Sequence, residues 1–398
     1  MERKFFTLII LFVFCFLLSC SGGDLYSGDA DSAIEWAVAV DDLDLDGAVD
    51  IAATFTDTDG NPDHYTSVIL NDINVPGSFF LSDEFELKGS KRDWPTSITL
   101  GDLNDDGYSD IATENGEAIF ILFQDPTLPG QFFVPLKITV GNHTESLAIG
   151  DLNEDGFNDL AISGGGPHLS ILFQNSLNPG IFLPLVNLGI SSSSVAIGDL
   201  DGDFINDMAV TSSGKVKLLF QDPVVPGSFS VAMNLDVGDQ PTDVKIEDLD
   251  KDGRLDLAVG NFGPPDDFKK GSVSILLQDP INAGQFLPAV SYSFNCRAKE
   301  ISLGDLNDNG FLDIAIASGC EDCEITILFQ DITNIGTFLS PVKYSCKGFP
   351  GPTSIATGDM NNDNFNDLII SEDSFVIRFQ DPASPGNFLG RTKIYDPN

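Results

Sequence analysis

A short acidic segment recurs seven times in this chain, starting at Asp42-Leu43, Asp102-Leu103, Asp151-Leu152, Asp199-Leu200, Asp248-Leu249, Asp305-Leu306 and Asp359-Met360. Each copy is followed by a second landmark, a turn of the type Phe123-Gln124-Asp125-Pro126-Thr127-Leu128-Pro129-Gly130-Gln131-Phe132, repeated at 70–79, 173–182, 220–229, 277–286, 329–338 and 379–388. Two landmarks in fixed order make the chain an array of units of roughly fifty residues, so dividing its length into ordinary domains does not apply. Within a unit the apolar stretches are short and strand-like, with none long enough or spaced for a helix. In the second unit they fall at 97–100, 110–113, 118–123 and 133–140. Four strands in about fifty residues is one propeller blade. The first strand sets branched residues (Ile98, Leu100; Leu147, Ile149; Val195, Ile197) against small ones (Thr99, Ala148, Ala196), as the crowded strand around a channel requires. A β-solenoid has shorter coils and lacks this turn. The expectation is an all-β, seven-bladed propeller of four-stranded blades over 34–398, with blades at about 34–92, 93–142, 143–192, 193–239, 240–297, 298–350 and 351–398. How the ring closes is open, although residues 391–395 can serve as a fourth strand of the last blade.

The acidic segments place side-chain oxygens at loop positions one, three, five and nine. The candidate metal ligands are Asp42, Asp44, Asp46 and Asp50; Asp102, Asn104, Asp106 and Asp110; Asp151, Asn153, Asp155 and Asp159; Asp199, Asp201, Asp203 and Asp207; Asp248, Asp250, Asp252 and Asp256; Asp305, Asn307, Asn309 and Asp313; and Asp359, Asn361, Asp363 and Asp367. Calcium takes six to eight oxygens, which a tight loop with alternate residues turned inward supplies. Position six is Gly in five loops, but Phe204 in the fourth and Asn364 in the seventh; Asn tolerates a left-handed backbone and Phe does not do so comfortably. An EF-hand shares the opening spacing but needs a Glu at position twelve and flanking helices, whereas position twelve here is Thr113, Ile162 or Val210. Acidic turns without metal use the same residue types, but seven in register favour calcium. The sixth loop, with two carboxylates, is expected to be weakest.

The N-terminus reads as an export signal over 1–19: Arg3 and Lys4 precede an apolar run at 5–18 that is too short for an ordinary spanning helix. Leu17-Leu18-Ser19-Cys20 resembles the lipobox of bacterial lipoproteins, which implies lipid on Cys20, a tether at 20–33 and a bacterial membrane location at the cell surface or periplasmic face. The formal net charge of −41, from 61 acidic and 20 basic residues, repels polyanions and argues against nucleic acid as a partner. Loop ligand positions hold 23 of those acids, so bound cations would relieve much of the repulsion. Cys296, Cys320, Cys323 and Cys346 remain in one stretch; two disulfides or a four-Cys zinc site fit them, and an exported chain favours the disulfides.

The run Gly-Asp-Leu-Asn-x-Asp-Gly-x-x-Asp-Ile-Ala followed by a strand and a Gly-x-Phe turn, clearest at 101–112, 150–161 and 304–315, resembles the FG-GAP/VCBS repeats of integrin α-subunits and bacterial surface proteins. The resemblance implies calcium between the first two strands of each blade, structural in role and on the face away from the usual partner surface.

In such blades the acidic loops and Pro-Gly turns share one face. The irregular sequence falls on the other, at 57–65, 164–168, 261–271 and 320–323 and in the links near 91–94, 141–144 and 296–300. Variable loops on a rigid scaffold are where binding usually resides. Tyr65, Trp94 and His168 are the candidate contact residues there. His64, His143 and His168 read as exposed loop histidines of different blades without ligand spacing, and residues 57–63 as a plain acidic turn. No nucleophile elbow, phosphate loop or histidine-carboxylate motif is present; Lys245, Glu300 and the histidines are scattered candidates. The function expected is adhesion or recognition of a protein or glycan, with membrane attachment through lipid, rather than catalysis. The alternative is a polysaccharide-active propeller enzyme, a lyase or hydrolase.

Overall fold

The computed structural model describes residues 37–57, 63–88, 95–141, 143–267, 270–319, 324–346, 351–372 and 374–395. They form seven separate four-stranded antiparallel sheets, each from four consecutive strands in sequence order. In the second repeat the strands are Ile98–Gly101, Asp110–Glu114, Ala118–Leu122 and Leu136–Thr139, close to the sequence expectation. The innermost strands touch in cyclic order, and that of the seventh blade, Ile355–Gly358, returns to that of the first, Ala37–Asp41. The molecule is a seven-bladed β-propeller, and its ring closes without strand exchange.

Burial explains why the strands read as near-continuous apolar runs. Second and third strands are covered on both faces by the neighbouring blades: every residue of Asp110–Glu114 and of Ala118–Leu122 is buried. Outermost strands such as Leu136–Thr139 are mostly exposed. The core is therefore divided into seven clusters, each sandwiched between two blades. The closing cluster joins Val38, Ile51 and Phe55 of blade one to Met360, Ile369 and Phe375 of blade seven. Apolar burial at about 25 cal/mol per Å² drives each contact, and the ring leaves no blade face bare.

A second set of contacts lies nearer the axis. In six blades the residue just before the alternating part of the inner strand reaches across to the next blade and accepts a backbone N–H: Ser97 from Leu147, Ser146 from Val195, Ser194 from Val244, Asp243 from Ile301, Glu300 from Ile355 and Ser354 from Val38, at 3.0–3.5 Å. Two residues further on, the register aligns Ala39, Thr99, Ala148, Ala196, Lys245, Ser302 and Ala356. Small side chains line that level of the channel, as expected, except at Lys245.

Candidate metal centre

Each acidic loop joins the first two strands of a blade, and its shape follows from its own carboxylates. In the first loop Asp42 accepts the N–H of Asp46 at 3.0 Å and of Gly47 at 2.9 Å, Asp44 that of Asp46 at 3.1 Å, and Asp46 that of Ala48 at 2.8 Å. Such side-chain to backbone bonds make consecutive Asx turns. The turns demand positive φ at position six, met by Gly47, Gly107, Gly156, Gly253 and Gly310, and also by Phe204 at 70° and Asn364 at 67°. Phe204 thus takes up the conformation its side chain disfavours. Position four is left-handed as well, at Leu45, Asp105, Glu154, Gly202, Lys251, Asp308 and Asn362, a demand the sequence reading did not anticipate.

The position-nine aspartates differ from the rest. All seven are buried. In Asp110 one oxygen accepts the N–H of Leu103 at 2.8 Å and the other that of Gln124 at 2.8 Å; the same pair of bonds recurs in all seven blades. Burial pushes the carboxyls of Asp50, Asp110, Asp159, Asp207, Asp256, Asp313 and Asp367 up to about 7, against these stabilising N–H bonds. Burial and the neighbouring like charges also raise Asp44, Asp201 and Asp250. Among the described residues, three carboxylate groups have oxygens within 4.8 Å of one another: Asp42 with Asp44 and Asp50, Asp199 with Asp201 and Asp203, and Asp248 with Asp250 and Asp256. These belong to the loops with four carboxylates. An all-oxygen set is what a hard divalent cation takes, and it fits calcium better than a metal preferring nitrogen or sulfur.

The Pro-Gly turns share the face of the acidic loops and lock neighbouring blades. A Cβ on Gly130 would lie 3.0 Å from the Asp44 Cβ of the preceding blade, and one on Gly77 would lie 3.5 Å from that of Asn361 across the ring closure. The Gln of the turn motif, which the sequence reading passed over, is a buried clip. Gln330 donates to the carbonyls of Leu312 at 3.1 Å and of Leu249, in the preceding blade, at 2.9 Å, and accepts the N–H of Gly336 at 3.5 Å. Its recurrence in six of seven turns, before Asp in five and before Asn175 in the third, with Asn71 in the first, was the available signal.

The opposite face differs from expectation in three places. His64 is not an exposed loop histidine: it is 2% exposed, on the strand Asp63–Asn71, with its Nδ1 2.8 Å from the Thr56 hydroxyl. Tyr65 stacks on Phe55, ring centroids 5.4 Å apart, and packs against the cluster that closes the ring, so it is a packing residue rather than a free contact. His143 and His168 do not come from different blades: both flank strands of the third and line one small cavity. Trp94, Cys20, Cys320 and Cys323, and most of the turn at 57–63, lie outside the described residues. Cys296 and Cys346 are each disulfide-bonded. Lys245 and Glu300, scattered in sequence, meet in the channel. The Lys245 ammonium is 3.2 Å from Asp243, and burial raises the Glu300 carboxyl while Lys245 and the backbone bond to Ile355 oppose the shift.

A seven-bladed propeller whose blades each fold an Asx-turn acidic loop between their first two strands defines a class of repeat protein. Two segments, 199–259 and 305–370, match the model of the FG-GAP-like repeat; each runs from one acidic loop through the next. The chain is a seven-bladed β-propeller that carries FG-GAP-like repeats in these two segments. Among solved structures, BBS1N in complex with ARL6DN is similar, with a TM-score of 0.54 at 16% identity over 89% of this chain and 95% of that one. A putative 6-phosphogluconolactonase from Bacteroides uniformis is similar, with a TM-score of 0.55 at 13% identity over 85% and 94%. At such identities the likeness concerns the fold alone. No curated protein matches the chain.

Proposed function

We propose that this propeller is a calcium-stabilised recognition module, held at a bacterial membrane by lipid on Cys20, that captures a protein or glycan on the face opposite its acidic loops. The observation that carries the reading is the difference between the two faces. One repeats the same ligand oxygens, turns and clips seven times, as a structural framework would; the other differs from blade to blade, as a contact surface would. Calcium at the four ligand positions of each loop would neutralise like charges and bind only the folded state. Recognition is preferred to catalysis because, among the described residues, the lysine–carboxylate group of Lys245 with Asp243 and Glu300 on the channel has both carboxylates committed to backbone N–H groups of the next blade.

Phe262, half-buried with Arg297 4.3 Å above its ring, is the aromatic group we place in the contact surface in place of Tyr65. Aromatic and Arg groups carry much of the energy of many interfaces. The test is ligand capture by the full chain in detergent, on glycan arrays and in protein pull-downs, measured beside thermal melting. Phe262→Ala or Asp266→Ala should weaken capture with little change in melting, and Asp252→Asn should lower the melting temperature. Capture lost in an Asp252→Asn protein that melts normally would move the contact surface to the acidic face.

A further inference from the structure

The third blade carries two of the chain's three histidines at one place. His143 precedes the strand Thr144–Gly150 and His168 precedes Ser170–Leu172, so link and hairpin loop meet on the face opposite the acidic loops. Both rings line a cavity of about 10 Å³, together with Thr144 and Ser163, the volume of one water or one ion. His143 Nε2 lies 3.9 Å from a carboxylate oxygen of Glu145. Among the described residues, two polar atoms there have no hydrogen-bond partner: the Oγ of Ser163, a wholly buried residue, and the Nδ1 of His168. Buried polar atoms without partners are uncommon and call for a ligand.

The local sequence keeps this place open. Gly164-Gly165-Gly166 runs between the two rings: a Cβ on Gly165 would meet the Glu145 oxygen at 3.3 Å and His143 Cδ2 at 3.6 Å, and one on Gly166 would meet His168 Nε2 at 3.4 Å. Gly166 also needs a φ of 85°. The turn has no side chains with which to fill the space against the imidazoles and the carboxylate.

We propose that His143, Glu145 and His168 form a site for a divalent transition metal of the zinc class, chemically distinct from the acidic loops. Imidazole nitrogen suits zinc, nickel and copper, whereas calcium takes oxygen, so one propeller sorts two kinds of cation onto its two faces. Binding of one ion by all three requires the His168 ring to move toward His143, and a water or an external ligand would complete a four-coordinate shell. A metal with an open position on the variable face is placed to take part in contact with a partner.

The test uses the full chain in detergent with calcium in excess, so that the loops are saturated, and zinc chloride as the probe. Imidazole nitrogen NMR of protein labelled with ¹⁵N-histidine reads the three rings separately. Stoichiometric zinc should shift His143 and His168 and leave His64 unmoved, with its Thr56 partner reporting that the ring of blades is intact. His143→Ala or His168→Ala should weaken zinc binding by at least about tenfold while the His64 signal stays in place. Zinc that moves none of the rings, or only His64, or that binds both variants as tightly as the parent, overturns the proposal.

Discussion

At the scale of single residues, the loops separate what a side chain offers to a ligand from what its backbone must endure. Phe204 is 94% exposed and takes a φ of 70°, so it contributes no packing to offset a conformation that costs an ordinary residue roughly 1–2 kcal/mol. Phe204→Gly should therefore stabilise the protein by about 1 kcal/mol, less the extra freedom glycine gains in the unfolded chain; urea denaturation checks it, and a loss of stability would mean that the ring has a partner. The position-nine aspartates show the opposite economy. The spacing that marks them as ligands is equally the spacing of a staple, since both carboxylate oxygens accept backbone N–H groups within the blade. Sequence alone cannot separate the two roles, because both ask for an acid at the end of the loop.

At the scale of the element, the blade is a hairpin stack fixed at both ends. On the acidic face the turn glutamine ties each turn to two strands, and its amide is buried. Gln330→Ala should cost about 2 kcal/mol, because it leaves buried carbonyls unsatisfied, and it should do so equally with and without calcium. A cost seen only in the presence of calcium would instead make the glutamine part of the metal shell. On the other face the sixth blade is flanked by Cys296 and Cys346, each disulfide-bonded. The ladder pairs Arg297 with Gly319 and Glu324 with Ser345, the residues that adjoin the four cysteines in the sequence. Non-reducing peptide mapping should recover the pairs 296–320 and 323–346. A 296–346 pair, or free thiols at either of these two, would refute the register argument.

At the scale of the whole molecule, calcium and protons compete for the same carboxyls. Burial raises the seven position-nine carboxyls from 3.8 to about 7. A carboxyl whose folded pKa exceeds its unfolded value binds its proton more tightly in the folded state. The stability this supplies is complete below the unfolded pKa and is lost as pH rises through the folded one. Chelated protein should thus melt at a higher temperature near pH 5 than near pH 8. Calcium, which needs the ionised form and binds only the folded chain, adds stability with the logarithm of its concentration and should reverse that order. Calorimetry across pH with calcium or chelator decides it, and melting that ignores calcium at pH 8 would remove the metal from the reading. Asp250→Ala should then lower melting more than Asn307→Ala, as it strips a charge from a four-carboxylate loop.

The repeat was legible in the sequence because each blade is built from local contacts: four strands in order, a loop folded by its own aspartates, and a turn set by Pro and Gly. Those features recur with the chain and need no distant partner to be recognised. What the sequence misjudged depends on neighbours that spacing does not reveal. Tyr65 resembled a loop aromatic until Phe55 and the closing cluster enclosed it, and His64 resembled an exposed residue until its strand was covered. Lys245 and Glu300 stand 55 positions apart in the sequence, yet the inner strands bring them to one wall of the channel, and His143 and His168 meet only because a link and a hairpin loop of one blade open on the same face. Closure itself was decided in three dimensions. The last blade buries Met360 and Phe375 against Val38 and Phe55 of the first because an unclosed array would leave two apolar blade faces in water, and joining them removes both at once.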